Sequence, residues 1–158
     1  MSRRIDYLDD PNAPKANSVV PSANVIVTRD DGDILLIRRT DNGNYALPGG
    51  ALDLGESISG TAVRETEEET GIRCEITGLV GIYTNPRHVI EYTSNGEVRQ
   101  EFSIVFTARP ISGTPKASSE SSEVIWVPAA EAVQLTMHPT MRQRINHYLD
   151  QRPGPYIG

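Results

Sequence analysis

The sequence has a single cysteine, no excess of basic residues and no long apolar run. Cys74 has no second cysteine with which to form a disulfide in the chain, and its alternation with Ile72 and Ile76 is typical of a small core residue. Lysine and arginine total 15 against 21 aspartates and glutamates, and the net charge of -6 argues against a general nucleic-acid-binding surface. No apolar stretch approaches the length of a membrane span or a signal-peptide core. We therefore expect a cytoplasmic protein that binds neither membranes nor nucleic acids in general.

The length of 158 residues suits one domain with its own core, and the sequence contains no internal repeat. Residues 18–151 are predicted to form this single domain. Residues 1–17 are polar, contain two prolines, and predict an extended N-terminal arm. Residues 152–158 are predicted to be a C-terminal tail in a loop conformation. A homodimer, in which a partner chain orders the arm, is an alternative that the sequence leaves open.

Apolar periodicity predicts more strands than helices. Strands are predicted at residues 18–29, 34–39, 73–83 (broken at two glycines), 89–92, 98–108 and 124–127. Helices are predicted after Gly50, at 128–135 and at 138–151, whereas residues 110–123 lack periodicity and predict a loop. The run from Ile34 to Ile37 is apolar throughout, which is typical of a strand buried on both faces. The expected fold class is α+β, with a mixed sheet covered by helices on two sides.

The most unusual segment runs from Gly50 to Ile72 and contains five glutamates. At about 100° per residue in a helix, the side chains of Glu65, Glu68 and Glu69 share one narrow face, while Glu67 points away. Like charges at this spacing repel, but a divalent cation such as Mg2+ prefers carboxylate oxygens and would convert the repulsion into a binding site. The opposite face carries only small or weakly apolar residues, so the helix must pack against something larger. The alternative is an ordinary solvated acidic face.

The spacing within this segment decides between these interpretations. Gly50, Glu56 and the run Arg64-Glu65-Thr66-Glu67-Glu68-Glu69-Thr70-Gly71-Ile72 match the pattern Gx5Ex7REUxEExGU, in which U is a bulky aliphatic residue. The sequence therefore resembles the Nudix hydrolases, and we call this segment the Nudix box. One position departs from the pattern, because Thr66 replaces the aliphatic residue. A threonine can bury its methyl group and bond its hydroxyl to the carbonyl four residues back, so we interpret it as a packing variant.

The resemblance implies an α/β/α sandwich and a metal-dependent reaction, in which water attacks a phosphorus of a nucleoside diphosphate derivative. Candidate substrates are ADP-ribose, a nucleoside triphosphate and a dinucleoside polyphosphate, and the expected cofactor is Mg2+ or Mn2+. The resemblance also implies that the ion is held by the carboxylates of Glu65, Glu69 and Glu68 and by the backbone carbonyl of Gly49. Glu56 and Arg64 are expected to pair and to orient Glu65.

The general base and the substrate contacts are less well defined by the sequence. Glu120 is the first candidate for the base, with an ordinary solvated loop charge as the alternative; Glu123 and Glu101 are weaker candidates. The candidate phosphate and nucleotide contacts are Arg38, Arg39, Tyr45 and Arg87. The alternative for Arg39 is a surface arginine, and an aromatic at the position of Tyr45 is more often a core residue.

Three other functions compete with hydrolysis. A catalytically silent nucleotide sensor of the same fold usually lacks box carboxylates, and all are present here. An isomerase of prenyl diphosphates requires a catalytic cysteine and additional metal-binding histidines, whereas Cys74 is predicted to be buried and the three histidines are widely separated in the sequence. An acidic interaction domain without chemistry would not require the box spacing.

Overall fold

The structure is a computed structural model, and it describes residues 3–158. In this range the chain forms twelve strands: β1 (Arg4–Leu8), β2 (Ser18–Val19), β3 (Ser22–Val27), β4 (Asp33–Arg39), β5 (Tyr45–Ala46), β6 (Gly49–Ala51), β7 (Ile72–Tyr83), β8 (His88–Tyr92), β9 (Glu97–Gln100), β10 (Ser103–Gly113), β11 (Ser121–Pro128) and β12 (Tyr156–Ile157). The helices of the same range are α1 (Ile58–Thr70), α2 (Ala129–Ala132) and α3 (Pro139–Leu149). None of these helices is long and apolar enough to cross a membrane.

The strands of the described range form three hydrogen-bonded sheets. The largest has the order β12-β7-β10-β3-β6, and it is mixed because β10 lies parallel to β3 and antiparallel to β7. A second sheet has the order β11-β4-β5 and connects to the first through a bridge between Thr28 and Ile34. The third sheet has the order β1-β8-β9-β2. The predicted mixed sheet is therefore present.

The core is double-sided because β3 and β4 place successive apolar side chains on opposite faces. One cluster packs beneath α1 and includes Val25, Val27, Leu35 and Ala62. The other cluster packs beneath α3 and includes Ile26, Ile34, Leu36 and Ile145. The expected two-faced burial of β4 is confirmed, and the helices cover both faces of the sheet as in an α/β/α sandwich.

Helix α1 is defined by its caps and by its small inner face. The Ser57 hydroxyl accepts a hydrogen bond from the amide of Gly60 at the N-terminus, and Gly71 ends the helix with a φ of 77°. The side chains that meet the sheet are the small Thr61, Ala62, Thr66 and Thr70. The Thr66 hydroxyl is buried but makes no hydrogen bond with the residues described, so its expected bond to the carbonyl four residues back is not formed.

Residues 98–108 do not form one strand as predicted. They belong to β9 and β10, which lie in different sheets and are separated at Glu101 and Phe102. The break is fixed by two backbone bonds: the Glu101 amide donates to the His88 carbonyl, and the Ser22 amide donates to the Phe102 carbonyl. The alternation of residue types runs across the break, but the two halves pack against different neighbours.

Other departures from the predicted elements also arise from long-range pairing. The predicted strand at 18–29 is divided at Pro21 into β2 and β3, which lie in different sheets. The arm contains β1, which pairs antiparallel with β8, and the predicted loop at 110–123 is shortened because β10 continues to Gly113 and β11 begins at Ser121.

The C-terminal tail contains a strand where a loop was predicted. In the tail, β12 pairs with β7 beside Gly81, where an added Cβ would lie 2.6 Å from the Tyr156 carbonyl oxygen. Gly81 thus permits this close approach and does not interrupt β7.

Candidate active site

A cleft of about 470 Å³ lies between α1, the third sheet and α3. Its acidic side chains are Glu65 and Glu69 of the Nudix box, Glu120 from the loop before β11, and Asp41 and Glu101. Its basic side chains include Arg4, Arg39, Arg99 and Arg144. The cleft thus contains both carboxylates and guanidinium groups. This combination suits a ligand made of a cation and an anionic group, because the cation offsets the repulsion among the carboxylates and the anion offsets that among the guanidinium groups.

Burial raises the proton affinity of the two box carboxylates that line the cleft, Glu65 and Glu69. The Glu69 residue is 6% exposed, and its Oε2 accepts one long hydrogen bond of 3.4 Å from the Gly49 amide. Burial, followed by the charge of Glu65, raises the pKa of Glu69 to about 8. Burial also raises the pKa of Glu65. These buried oxygens have few hydrogen-bond donors, so the donor set fits a hard divalent cation.

Two glycines allow the backbone to approach these carboxylates. An added Cβ on Gly50 would lie 2.7 Å from both carboxylate oxygens of Glu65, and one on Gly49 would overlap the carbonyl oxygen of Ala23. Side chains at these positions would displace Glu65 or separate β6 from β3. The glycines therefore bring the Gly49 backbone close to the box carboxylates.

Arg64 fixes the positions of Glu56 and Glu65 through hydrogen bonds. Its Nε and Nη2 donate to the two oxygens of Glu56 at 2.6 and 2.9 Å, and its Nη1 donates to Glu65 Oε1 at 3.0 Å. The expected pairing of Glu56 with Arg64 is confirmed. The bonds from Arg64 lower the pKa of Glu56 to about 2, so Glu56 keeps its charge over the working pH range.

We expect Glu56→Gln to reduce kcat or the affinity for the activating metal by about 10–100-fold, because an amide cannot accept both Arg64 bonds and Glu65 loses its fixed orientation. Steady-state kinetics over a metal titration would measure this. Ser59→Ala, on the same helix and outside the cleft, is the control. An unchanged metal dependence in Glu56→Gln would show that the pair does not orient Glu65.

Glu68 differs from the two buried glutamates. Its side chain is 60% exposed and makes an ion pair with Arg64 Nη1 at 3.2 Å. Glu68 does not line the cleft. Glu68 would have to leave Arg64 before it could join Glu65 and Glu69 as a metal ligand. Glu67 is exposed, in agreement with the predicted helical face.

The loop that carries Glu120 is anchored to the box helix. The Ser121 hydroxyl donates to the backbone carbonyl of Glu69 at 2.8 Å, and the Thr40 amide donates to the Glu120 carbonyl at 3.2 Å. Glu120 thus lines the same cleft as Glu65 and Glu69, and its charge contributes to the raised pKa of both. Glu101, a weaker candidate for the base, also lines the cleft, whereas Glu123 does not.

The structure places one of the four predicted substrate contacts in the cleft and the other three outside it. Arg39 lines the cleft and makes two bonds to Asp41, at 2.9 and 2.6 Å. Arg38 points to the other side of β4, where its Nε donates to the Gly43 carbonyl and its guanidinium lies over the Tyr45 ring. Tyr45 donates to Glu123, packs against the α3-side core and lies outside the cleft. Arg87 is on the turn before β8, 78% exposed, with Asp9 at 3.7 Å, and is also outside the cleft.

Sequence reasoning missed Arg4, Arg99 and Arg144. Arg144 is 2% exposed, its guanidinium contacts Asn24 and Glu101, and its Nε has no partner among the described residues. A signal for it was present: Arg144 follows Met141 by three residues and precedes Tyr148 by four, which places it on the apolar stripe of α3. Arg4 and Arg99 gave no local signal, because pairing of β1 and β9 with β8 brings them to the cleft.

Cys74, His88 and His138 do not line the cleft. Cys74 is 2% exposed in the core beneath α1, as predicted, and does not line the cleft. The histidines are not all separated in space, because the rings of His88 and His138 stack with centroids 5.3 Å apart. The sequence could not show this contact, since the two residues are 50 positions apart.

Comparison with known proteins agrees with the fold. The family model described as NUDIX domain matches residues 19–148. A MutT-like protein of Streptomyces ambofaciens is 40% identical over 154 residues, which cover 96% of this chain and 90% of the relative. An ADP-ribose pyrophosphatase of Methanocaldococcus jannaschii is 37% identical over 100 residues, covering 61% of this chain and 55% of the relative. The crystal structure of a NUDIX hydrolase from Nitrosomonas europaea has a TM-score of 0.71 at 21% identity and covers 90% of this chain and 78% of that chain.

These matches define an enzyme class, the hydrolases of phosphoric anhydride bonds. The chain belongs to the NUDIX family. It is a Nudix pyrophosphohydrolase, and the resemblance carried by the box and the α+β fold expected from it are confirmed.

Proposed function

We propose that this chain hydrolyses the pyrophosphate linkage of a nucleoside diphosphate derivative, with Mg2+ or Mn2+ as the activating ion. ADP-ribose, a nucleoside triphosphate and a dinucleoside polyphosphate are the substrates to distinguish. The observation that carries the proposal is the cleft, which Glu65 and Glu69 share with several arginines. The identity to an ADP-ribose pyrophosphatase supports including ADP-ribose in this set. The homodimer and the cytoplasmic location stay predictions.

The ion would be held by the carboxylates of Glu65 and Glu69 and by the Gly49 carbonyl, with Glu68 joining if it leaves Arg64. When bound, a divalent cation lowers the pKa of a coordinated water and offsets the charge of the phosphate oxygens. Glu56 and Arg64 hold Glu65 in place for this purpose through the bonds described above. A bound ion would favour the ionised form of Glu69, whose pKa burial raises to about 8.

The other cleft residues bind the substrate and accept a proton. Arg39 and Arg144 donate hydrogen bonds to the phosphate oxygens, since guanidinium groups suit this bidentate contact. Glu120 accepts a proton from the attacking water while the water oxygen bonds to phosphorus. The bond between that phosphorus and the bridging oxygen breaks, and the bridging oxygen leaves on the second phosphate. Depending on the substrate, the products are two phosphate esters, or one phosphate ester and an inorganic phosphate or pyrophosphate.

We expect Glu120→Gln to lower kcat by about 100-fold, because a positioned general base typically contributes a factor of that order or more. The acidic limb of the pH–rate profile should also disappear, since it reports protonation of the base. Glu123→Gln is the matched control: it removes the same charge three residues away and outside the cleft. A pH–rate profile of Glu120→Gln that is unchanged in shape and height would exclude Glu120 as the base.

The substrate assignment requires a direct assay. The protein is incubated with Mg2+ and a panel of ADP-ribose, nucleoside triphosphates and dinucleoside polyphosphates, and the products are separated by ion-exchange chromatography. We expect one class to be cleaved at least about tenfold faster in kcat/KM than the others, because contacts to the non-reacting part of the substrate also stabilise the transition state. Nucleotide binding without cleavage of any compound would instead favour the sensor function.

A further inference from the structure

A second group of metal-ligating side chains lies outside the Nudix box. Asp6 comes from β1, His88 begins β8, and His138 is the N-cap of α3. One potential ligand atom from each residue lies within 4.8 Å of the other two. The three residues do not line the cleft that contains Glu65 and Glu69. The cluster is therefore distinct from the site described above.

The distances suit coordination after small side-chain rotations. Ligand atoms at about 2.0–2.2 Å from a tetrahedral Zn2+ lie roughly 3.4 Å apart. His88 Nε2 and Asp6 Oδ1 already lie 3.3 Å apart. The two imidazole rings are stacked, with an angle of 11° between their planes, so His138 must rotate out of the stack to direct a nitrogen at an ion shared with the other two residues.

Each of the three side chains has an outer partner that would fix its orientation. The second nitrogen of His88, Nδ1, lies 3.7 Å from Glu101 Oε2, and carboxylates commonly hold metal-binding histidines in this way. His138 Nδ1 accepts a hydrogen bond from the Thr140 amide at 3.2 Å and lies 2.7 Å from the Thr140 hydroxyl. Metal binding at Nε2 would place the ring proton on Nδ1, which would then donate to the Thr140 hydroxyl in exchange for the amide bond. Arg4 holds both oxygens of Asp6, with Nε donating to Oδ2 at 3.2 Å and Nη2 donating to Oδ1 at 3.1 Å, and Oδ1 also lies 3.3 Å from His88 Nε2.

The space at the cluster also fits one cation. All three residues line a cavity of about 30 Å³, which is large enough for one ion or one water molecule. Asp6 and Glu101 supply two negative charges, which offset part of the positive charge of Arg4, Arg144 and a divalent ion.

We propose that Asp6, His88 and His138 bind one Zn2+ ion or a similar divalent transition metal. Two imidazoles and one carboxylate favour such ions over Mg2+, which prefers oxygen ligands alone. The ion would connect β1, β8 and the start of α3, three segments that are distant in sequence. Its role is to fix β1, and with it Arg4, at the edge of the cleft. The alternative is a hydrogen-bonded network that holds no metal.

The test uses the full chain with Glu65→Gln and Glu69→Gln, so that the Nudix box does not compete for the added metal. The protein is stripped with chelator and titrated with Zn2+ in excess Mg2+ by calorimetry, and with Co2+ by visible absorption. We expect one Zn2+ per chain and a Co2+ spectrum of a site with nitrogen ligands. Zn2+ at about 100 times Kd should raise the melting temperature by about 5–10 °C.

The variant His138→Asn removes the imidazole while keeping a residue that serves well as a helix N-cap. We expect it to weaken Zn2+ binding by at least about 100-fold, more than the loss of an outer partner, and Thr140→Val to weaken it by about tenfold. His147→Asn is the matched control, because His147 bonds to Tyr83 and lies outside the cluster. A Zn2+ affinity that is unchanged in both His138→Asn and Asp6→Asn, or no Zn2+ binding by the parent, would overturn the proposal.

Discussion

Glutamine at position 65 or 69 will lower kcat by at least about 1,000-fold, because each change removes a charged oxygen from the place where the activating ion is expected to bind. Burial increases the effect. Glu65 and Glu69 are the box carboxylates that line the cleft, and water cannot easily replace a lost ligand there. The amide of glutamine keeps the shape of the side chain but binds a divalent cation weakly. Steady-state kinetics at saturating substrate and a range of Mg2+ concentrations measure the loss.

Glu67→Gln provides the control for this experiment. It removes the same charge from the same helix, but Glu67 is exposed and points away from the cleft. Its kcat should therefore stay within about twofold of the parent, as surface changes away from special features usually have little effect. Circular dichroism of all three variants checks the fold. Activity near that of the parent in both Glu65→Gln and Glu69→Gln would falsify the assignment of the box as the metal site.

The Nudix box could be predicted from the sequence because its information is local. The helical spacing of Glu65, Glu68 and Glu69, the glycine that ends α1 and the Glu56–Arg64 pair all arise within a few turns of chain. Local spacing also predicted that β4 is buried on both faces. It could not show that Glu68 is held outward by Arg64, because this depends on which rotamers the surrounding residues allow.

The substrate side of the cleft could not be predicted because it is assembled by long-range pairing. Arg4 reaches the cleft only because β1 pairs with β8, and Arg99 reaches it through the pairing of β9 with β8. The same pairing, with the docking of α3, brings His88 beside His138. Strand partners of this kind leave no periodic signal in either segment alone. By contrast, Arg38, Tyr45 and Arg87 were plausible from residue type and turn position, and the structure places all three outside the cleft.

The second large effect concerns stability in the absence of metal. Between about pH 5 and pH 8, the unfolding free energy of the chelator-treated protein should fall by about 4 kcal/mol through Glu69 alone, since one pKa unit corresponds to about 1.4 kcal/mol. Burial and the neighbouring Glu65 charge raise the pKa of Glu69 from 4.5 to about 8 in the folded state. Urea denaturation in chelator at several pH values measures the slope.

The sign of the slope follows from proton binding. Between pH 4.5 and 8 the folded protein holds a proton on Glu69 and the unfolded chain does not, so raising the pH favours unfolding. The stabilisation is complete below the unfolded pKa and is lost as the pH rises through the folded pKa. Glu69→Gln cannot ionise and should abolish this part of the slope, whereas the exposed Glu67→Gln should keep it.

Saturating Mg2+ should have the same effect on the parent as the Glu69→Gln substitution, because a cation bound to the ionised carboxylate removes the reason for its protonation. The parent would then be nearly as stable at pH 8 as at pH 6, and the stabilisation by Mg2+ would grow with pH. Glu69→Gln should gain little stability from Mg2+ at any pH, since it lacks the charge. If the parent and Glu69→Gln show equal slopes in chelator, or Mg2+ stabilises both equally at pH 8, then Glu69 is not the buried group that links proton release to metal binding.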